Sequence, residues 1–209
     1  MGIPVLVLGS SGSGKTFSVK HMDPKQTGIF LVEKPRLPFR EQFPNTLHGA
    51  TYQHILRSLA DAKLKSYVID DSQYLLVNEF FDRAGETGYQ KFTDMALNFR
   101  NLIHFVIRKT PDDVIVYFLH HTELDQNGCV KAKTIGRMLD EKLTVEGLFD
   151  IVLLTQVTPD GHYFLTQSKG QDPVKTPEGM FPEEKIPNDL ALVDRAIRDY
   201  YGLEVKKNA

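Results

Sequence analysis

Five short apolar runs, separated by longer mixed segments, set the pattern of this chain. They cover residues 4–8, 28–33, 66–71, 113–119 and 150–156. Short apolar runs without strict alternation are typical of strands buried on both faces of a parallel sheet. A further segment, residues 162–167, alternates between apolar and polar positions after a Pro-Asp-Gly turn. We predict that it pairs antiparallel with the fifth strand.

Between the strands, apolar residues recur at helical spacing. A first helix is expected after residue 16, ending at the Asp23-Pro24 turn, and the others cover residues 51–64, 72–83, 92–106, 135–143 and 188–203. Thr87 and Gln90 have the spacing of a capping box, and Asn188 is expected to cap the last helix. Alternating strands and helices predict an α/β fold, with a mainly parallel sheet between helical layers and an antiparallel hairpin at its C-terminal edge.

Five segments show neither the strand pattern nor the helical spacing of apolar residues and are predicted to be irregular. Residues 34–40 carry two prolines and three basic residues, so they should form a loop across the carboxyl edge of the sheet. Two glycines make residues 84–88 a candidate for a mobile loop, and Asp125-Gln126-Asn127-Gly128 is a strong turn signal. Residues 168–187 should be irregular and residues 206–209 a frayed tail.

The composition is that of an ordinary globular protein. The 209 residues are 41% hydrophobic and 25% charged, which fits one domain, residues 1–209, with a sizeable core. A net charge of −2 gives no global attraction to nucleic acid or to an anionic membrane. Cys129 is alone, no apolar run approaches the roughly 18 residues of a membrane span, and the chain enters its first strand at once. We therefore expect a cytoplasmic protein with no disulfide, no signal peptide and no membrane partner.

The segment after the first strand carries the clearest motif. It has the spacing Gly-x-x-x-x-Gly-Lys-Thr of a phosphate-binding P-loop, between a strand and a helix as that motif requires. Glycines allow backbone N–H groups to converge on one anion, and the following helix should add its own donors. Lys15 should reach the terminal phosphates, and the Thr16 hydroxyl should complete the shell of a Mg²⁺ ion. The expected nucleotide-binding residues are Gly9, Ser10, Ser11, Gly12, Ser13, Gly14, Lys15, Thr16 and Phe17.

Acidic residues end two other strands. Asp70 follows Tyr67-Val68-Ile69 and has the form of a Walker B aspartate, which would hold the Mg²⁺ shell opposite Thr16. A group that orients the attacking water is also needed, and Asp71 and Glu33 are the two candidates. We favour Glu33, for its reach and for a predicted strand beside the first one. The alternatives are that Asp70 and Asp71 are a solvated pair at the end of a strand, and that Glu33 is a surface residue that begins a loop.

His120 and His121 end the fourth predicted strand, which we expect next to the first. There they could sense the terminal phosphate, or one could be packed and the other merely hydrogen-bonded. Because parallel strands end at one edge, the acids and histidines are predicted to converge with the P-loop in one catalytic site.

Two groups of side chains outside that edge are candidates for contacts to DNA or to a neighbouring subunit. Lys131, Lys133 and Arg137 follow the predicted turn, where cations could neutralise charge in a neighbouring subunit's site or bind a phosphate backbone. Tyr89 and Lys91 could stack a base and contact a phosphate of a single strand. A solvated basic face is the default alternative for the first group.

Several segments together resemble a known family. They are GSSGSGKT, KPRLPFR, VIDDSQYLLVNEFF, FLHHTELDQNG, KTIGRMLDEKLTVEGLF, KTPEGMFP and NDLALVDRAI. Over nearly the whole chain they resemble phage-encoded RecA-like recombination ATPases of the single-strand annealing protein class. The resemblance implies a RecA-like three-layer sandwich of the P-loop NTPase class, ATP and Mg²⁺ as cofactors, and DNA-stimulated hydrolysis. It also implies homo-oligomers in rings or filaments, single-stranded DNA and a single-stranded DNA-binding protein as partners, and the cytoplasm of an infected or lysogenic bacterial host.

Two other functions are compatible with a P-loop. A nucleotide kinase of similar length would be expected to have an arginine-dense lid, whereas the arginines here are scattered. An AAA+ remodeller or helicase loader would need a helical lid domain, and the chain after the sixth strand has room for one clear helix.

Overall fold

The computed structural model describes residues 1–33, 36–136, 140 and 143–203. Its strands are β1 (Ile3–Gly9), β2 (Thr27–Leu31), β3 (Thr46–His48), β4 (Ser66–Asp70), β5 (Ile115–Leu124), β6 (Val130–Ala132), β7 (Ile151–Thr158), β8 (Gly161–Leu165) and β9 (Lys185–Pro187). Its α-helices are α1 (Tyr52–Ala60), α2 (Tyr74–Asp82), α3 (Gln90–Lys109) and α4 (Leu190–Tyr201). Two short 3₁₀ helices cover Thr16–His21 and Val145–Leu148.

The strands form one mixed, mostly parallel sheet. Its order is β3-β2-β4-β5-β1-β7-β8-β9, and β6 pairs with the extended end of β5. The first six strands of this order pair parallel, whereas β8 is antiparallel to β7 and β9. All five predicted buried strands and the antiparallel pairing of the sixth segment are therefore confirmed. The strands β4, β5 and β1 are neighbours in the sheet in this order, so their carboxyl ends lie at the same edge.

Helices cover both faces of this sheet. On one face, Leu6 and Leu8 of β1 pack in a core that includes apolar residues of α1, α2 and α3. On the other face, Val5 and Val7 pack with Val19 of the first 3₁₀ helix and with the apolar stripe of α4. Successive residues of a strand point to opposite faces, so one uninterrupted apolar run supplies both cores. The arrangement is an α/β fold of three layers, compatible with the predicted sandwich.

Several local predictions differ from the structure. The segment after β1 forms a short 3₁₀ helix rather than an α-helix, and the two three-residue strands β3 and β9 were not predicted. The capping box at Thr87 and Gln90 is wrong, because no side chain caps the start of α3. Asn188 is not the cap of α4 either: Asp189 accepts a hydrogen bond from the Ala191 N–H at 2.9 Å.

The excursion after β5 is a hairpin, as predicted. The Asp125 N–H donates to the Cys129 carbonyl at 2.8 Å, and β6 returns antiparallel along β5. The strand itself continues to Leu124, so both histidines lie within β5 rather than after it. The predicted helix 135–143 includes residues outside the described ranges, as does the predicted tail 206–209. No helix in the described part of the chain combines the length and the apolar character needed to cross a membrane.

Candidate functional site

The glycine loop (residues 9–16) connects β1 to the first 3₁₀ helix. Gly12 and Gly14 have φ angles of 77° and 96°, a region that side-chain-bearing residues rarely adopt. A Cβ on Gly9 would collide with the Thr155 hydroxyl, and one on Gly14 would lie 2.7 Å from the Asn188 amide nitrogen. The motif glycines at positions 9 and 14 are therefore required by close approach of other chain segments.

A cavity of about 460 Å³ opens beside this loop. Its lining residues are Ser11, Gly12, Ser13, Gly14, Lys15, Thr16, Phe17, Pro38, His121 and His162. Most of the predicted nucleotide-binding residues thus surround one space. A larger cavity of about 740 Å³ lies at the other edge of the sheet, near the start of β2 and β4. That cavity contains the Asp194–Arg198 ion pair and lies away from the glycine loop, so we take the smaller cavity as the candidate site.

Lys15 lies folded over the start of the glycine loop. Its side chain is buried, with the residue only 5% exposed, and its ammonium donates to the carbonyls of Gly9 at 2.8 Å and Ser10 at 2.9 Å. These bonds keep a positive charge at the rim of the cavity. An anionic ligand would meet this charge in surroundings that screen it little.

Thr16, at the end of the glycine loop, and Asp70, at the end of β4, form a buried pair. The Thr16 hydroxyl is 2.8 Å from Asp70 Oδ1 and 3.1 Å from Oδ2. Hydroxyl and carboxylate oxygens are ligands that Mg²⁺ prefers, and Mg²⁺ usually takes few protein ligands because it keeps several waters. The donor set therefore fits the predicted magnesium site, although the described residues contain no cluster of three or more His, Cys, Asp or Glu side chains suited to a metal.

Asp71 and His121 form a second pair. Asp71 is buried, with a φ of 58°, and its Oδ1 is 3.1 Å from His121 Nε2. His121 lies opposite Gly9 in the β1–β5 ladder and lines the cavity, with the Tyr74 ring edge-on at 6.0 Å. The hydrogen bond fixes the imidazole, because the carboxylate can only accept. A left-handed backbone conformation is unfavourable for a residue other than glycine, so the surrounding contacts must hold Asp71 in it.

His120 points to the opposite face of the sheet. It is fully buried, with Nδ1 2.9 Å from the Ser72 hydroxyl and Nε2 2.9 Å from the Lys133 carbonyl. Burial lowers the pKa of His120 to about 4, so the side chain is neutral at pH 7. Because it does not line the cavity, the packed alternative describes His120, and only His121 is positioned to contact a ligand there.

Glu33 does not have the predicted position. Its strand β2 lies between β3 and β4, so β4 and β5 separate it from β1. The expectation of a strand beside the first was wrong because the order of strands along the chain is not their order in the sheet. Glu33 is exposed, and its Oε2 accepts a hydrogen bond from the Asn78 amide at 3.4 Å.

The candidate cations differ in their surroundings. Lys131 is 3.2 Å from Glu123 and also pairs with Asp140; partial burial acts against its charge, but these carboxylates raise the pKa of Lys131 overall. Lys133 is exposed, and its N–H donates to the His121 carbonyl at 2.8 Å. Arg137 lies outside the described residues.

Tyr89 and Lys91 lie at the start of α3 but point differently. Tyr89 is 77% exposed, as a stacking side chain would be. Lys91 is only 9% exposed, with its ammonium 5.3 Å from the centres of the Phe80 and Phe92 rings. Packing against two rings retains Lys91 at the α2–α3 corner, so its ammonium is not presented to a ligand in this conformation.

Three residues at the site were not predicted. Thr155 of β7 donates to Ser13 Oγ at 2.7 Å, His162 of β8 is 3.1 Å from the Ser13 carbonyl, and Asn188 donates to the Gly14 carbonyl at 3.0 Å. All three are far from the loop in the chain and belong to no motif. Thr155 was expected in the fifth buried strand, His162 in the antiparallel strand after it and Asn188 as the cap of the last helix, so only their polarity hinted at another role.

Neither a scan against protein-family models nor a search of curated proteins gave a match.

Proposed function

We propose that this protein is an ATPase that binds ATP and Mg²⁺ at the glycine loop and acts on single-stranded DNA, in annealing or strand exchange during phage homologous recombination. One observation carries the nucleotide part. Lys15 and Thr16 of the glycine loop line one cavity, and Thr16 is hydrogen-bonded to Asp70 at the end of β4, with all three residues buried. A structural loop would not need a buried ammonium beside an open space of nucleotide size.

In this proposal, the loop residues bind the triphosphate and Lys15 contacts its terminal phosphates. Thr16 and Asp70 hold the magnesium ion, which would neutralise charge that develops on the phosphate oxygens during hydrolysis. Gly12 and Gly14 let the backbone approach the phosphates closely. The 3₁₀ helix is too short to act as a strong dipole, so the loop N–H groups and Lys15 carry most of the attraction.

The attacking water needs a hydrogen-bond partner, and the Asp71–His121 pair fits this role better than Glu33 does. With Nε2–H donating to Asp71, a neutral His121 keeps Nδ1 as an acceptor that can orient a water molecule. His121 lines the cavity, whereas Glu33 is exposed and follows β2, which β4 and β5 separate from β1. Glu33 remains the alternative, because its side chain is long and exposed.

The DNA part of the proposal depends on the sequence resemblance. Exposed Lys133 and Tyr89 are the side chains most suited to a backbone or base contact. Lys133 also connects to the site, because its backbone bonds to both β5 histidines. Assembly into a homo-oligomer, as a ring or a filament, and a single-stranded DNA-binding protein as partner belong to the same proposal.

The test is phosphate release from ATP by the purified protein, with and without single-stranded DNA. We expect DNA-stimulated release that Lys15→Ala abolishes and that Lys25→Ala, a change at an exposed lysine outside the cavity, leaves intact. Transfer of phosphate to a nucleoside monophosphate without any DNA effect would instead indicate a kinase. Undiminished release by Lys15→Ala would refute the site itself.

A further inference from the structure

The side chain of His162 connects the glycine loop to the C-terminal part of the sheet. Its Nδ1 is 3.1 Å from the Ser13 carbonyl oxygen, and its ring lies close enough to Gly14 that a Cβ there would be 2.9 Å from Nδ1. The residue is nevertheless exposed and lines the 460 Å³ cavity. One side of the ring is thus fixed against the loop, and the other side is available to a ligand.

The hydrogen bond to Ser13 determines what His162 can offer. A carbonyl oxygen only accepts, so Nδ1 must carry the proton in this contact. In a neutral imidazole the other nitrogen, Nε2, is then an acceptor. It is unsuited to phosphate oxygens, which are acceptors too, and suited to a hydroxyl or an amino group.

Two apolar side chains of the same cavity indicate which part of a nucleotide it could hold besides the phosphates. Phe17 and Pro38 line the same cavity, and Phe17 packs edge-on against Phe39 at 6.3 Å. These apolar surfaces match the faces of a sugar or a base rather than a phosphate chain. Lys15 and Thr16, whose side chains suit phosphates, line the same cavity and come directly before Phe17 in the chain.

We propose that His162 is a specificity-determining residue whose Nε2 accepts a hydrogen bond from the nucleoside part of the bound nucleotide, either a ribose hydroxyl or the adenine amino group. This inference rests on the proposed nucleotide binding. The strand β8, which lies outside the P-loop motif, would then take part in recognising the nucleoside.

Calorimetric titration with magnesium and a set of ligands tests the inference. The ligands are ATP, 2′-deoxy-ATP, 3′-deoxy-ATP, inosine triphosphate, which lacks the amino group, and inorganic tripolyphosphate, which lacks the nucleoside. We expect His162→Ala to weaken ATP binding roughly 3- to 10-fold more than tripolyphosphate binding, the worth of one hydrogen bond to the nucleoside, because a loss shared by both ligands reflects only the contact of His162 with the loop. One of the three analogues should lose no more affinity in the variant than tripolyphosphate does, which would identify the donor.

Asn188→Ala is the matched control. Asn188 also bonds the glycine loop, at the Gly14 carbonyl, but it is not part of the cavity lining. Its replacement should weaken ATP and tripolyphosphate by the same factor, since it acts only through loop shape. Circular dichroism melting of both variants checks that they fold.

Several outcomes would overturn the inference. They are an equal loss of ATP and tripolyphosphate binding in His162→Ala, an equal loss for all three analogues, and no loss at all. A wild-type protein that binds neither ATP nor tripolyphosphate would remove the proposed function and this inference with it. Normal ATP binding with an unaffected His162→Ala variant would remove only the inference.

Discussion

His120 and His121 are neighbours in the chain but have different surroundings, because a strand turns successive side chains to opposite faces. His121 faces the cavity with Asp71 behind it, and His120 is enclosed by Ser72, Lys133 and the Phe99 ring. The sequence alone predicted that the pair lies at a strand end beside the glycine loop. It could not tell which histidine faces the cavity, since that depends on where the strand begins.

Replacing His121 with Ala should lower the rate of ATP hydrolysis roughly 100-fold or more, the usual loss when a positioned proton acceptor is removed. ATP affinity should change little, because the binding groups remain. Steady-state kinetics with calorimetric affinities would separate the two effects. Glu33→Ala is the comparison, and a large rate loss there with an active His121→Ala variant would reverse the assignment of roles.

His120 should make the stability of the protein depend on pH. Its pKa falls from 6.5 in the unfolded chain to about 4 in the fold, so between these values the unfolded chain binds a proton that the folded protein does not. The contribution of neutral His120 to the free energy of unfolding is therefore fully present above pH 6.5. It amounts to roughly 3 kcal/mol and is lost as the pH falls from 6.5 towards 4.

Urea unfolding at several pH values would measure this effect. His120→Gln should be less stable at pH 7, because it disturbs the bonds to Ser72 and Lys133, but its stability should depend less on pH between 6.5 and 4. Parallel pH profiles for the wild-type protein and the variant would contradict the role of His120.

At the scale of elements, the helix α4 begins at a cap that sequence reasoning put one residue too early. Asp189 accepts from the Ala191 N–H at 2.9 Å and also lies 2.9 Å from His21 Nδ1. Asn188, the residue first expected to cap, instead bonds the glycine loop. Both residue types are good caps, so only the tertiary contact of Asn188 distinguishes them.

We expect Asp189→Ala to lower the free energy of unfolding by about 1 kcal/mol, the usual cost of a lost cap. Asp189→Asn should retain most of that stability, because an asparagine oxygen can accept the same bond. Chemical denaturation of the two variants measures the difference, and equal losses would place the effect in the His21 contact instead.

Elements with strong apolar patterns were predictable, whereas the two short strands at the borders of the sheet were not. The runs that form β1, β4 and β7 are buried on both faces, which leaves a continuous signal in the sequence. β3 and β9 have three residues each, and their existence depends on the neighbouring strand. The glycine loop and Asp70 were predictable from motif spacing, but Thr155, His162 and Asn188 reach the loop only through the folded sheet.

At the scale of the whole molecule, the proposed nucleotide should act as a stabilising ligand. A ligand at 100 times its dissociation constant adds about 2.7 kcal/mol, which corresponds to a rise of roughly 5–10 °C in melting temperature for a chain of this size. We therefore expect ATP with magnesium to raise the melting temperature of the wild-type protein. Lys15→Ala should show no rise, and an equal rise in both proteins would indicate binding elsewhere.

Both borders of the sheet are formed by three-residue strands, β3 and β9, and β9 ends at Pro187, which has no N–H to offer. Such short edge strands offer another chain little backbone with which to pair. Short edge strands are one way in which sheet proteins avoid aggregation. Subunits of the proposed assembly should therefore join through side chains on helices and loops. A ring or filament built in this way can dissociate without breaking any sheet, so its length can respond to protein concentration.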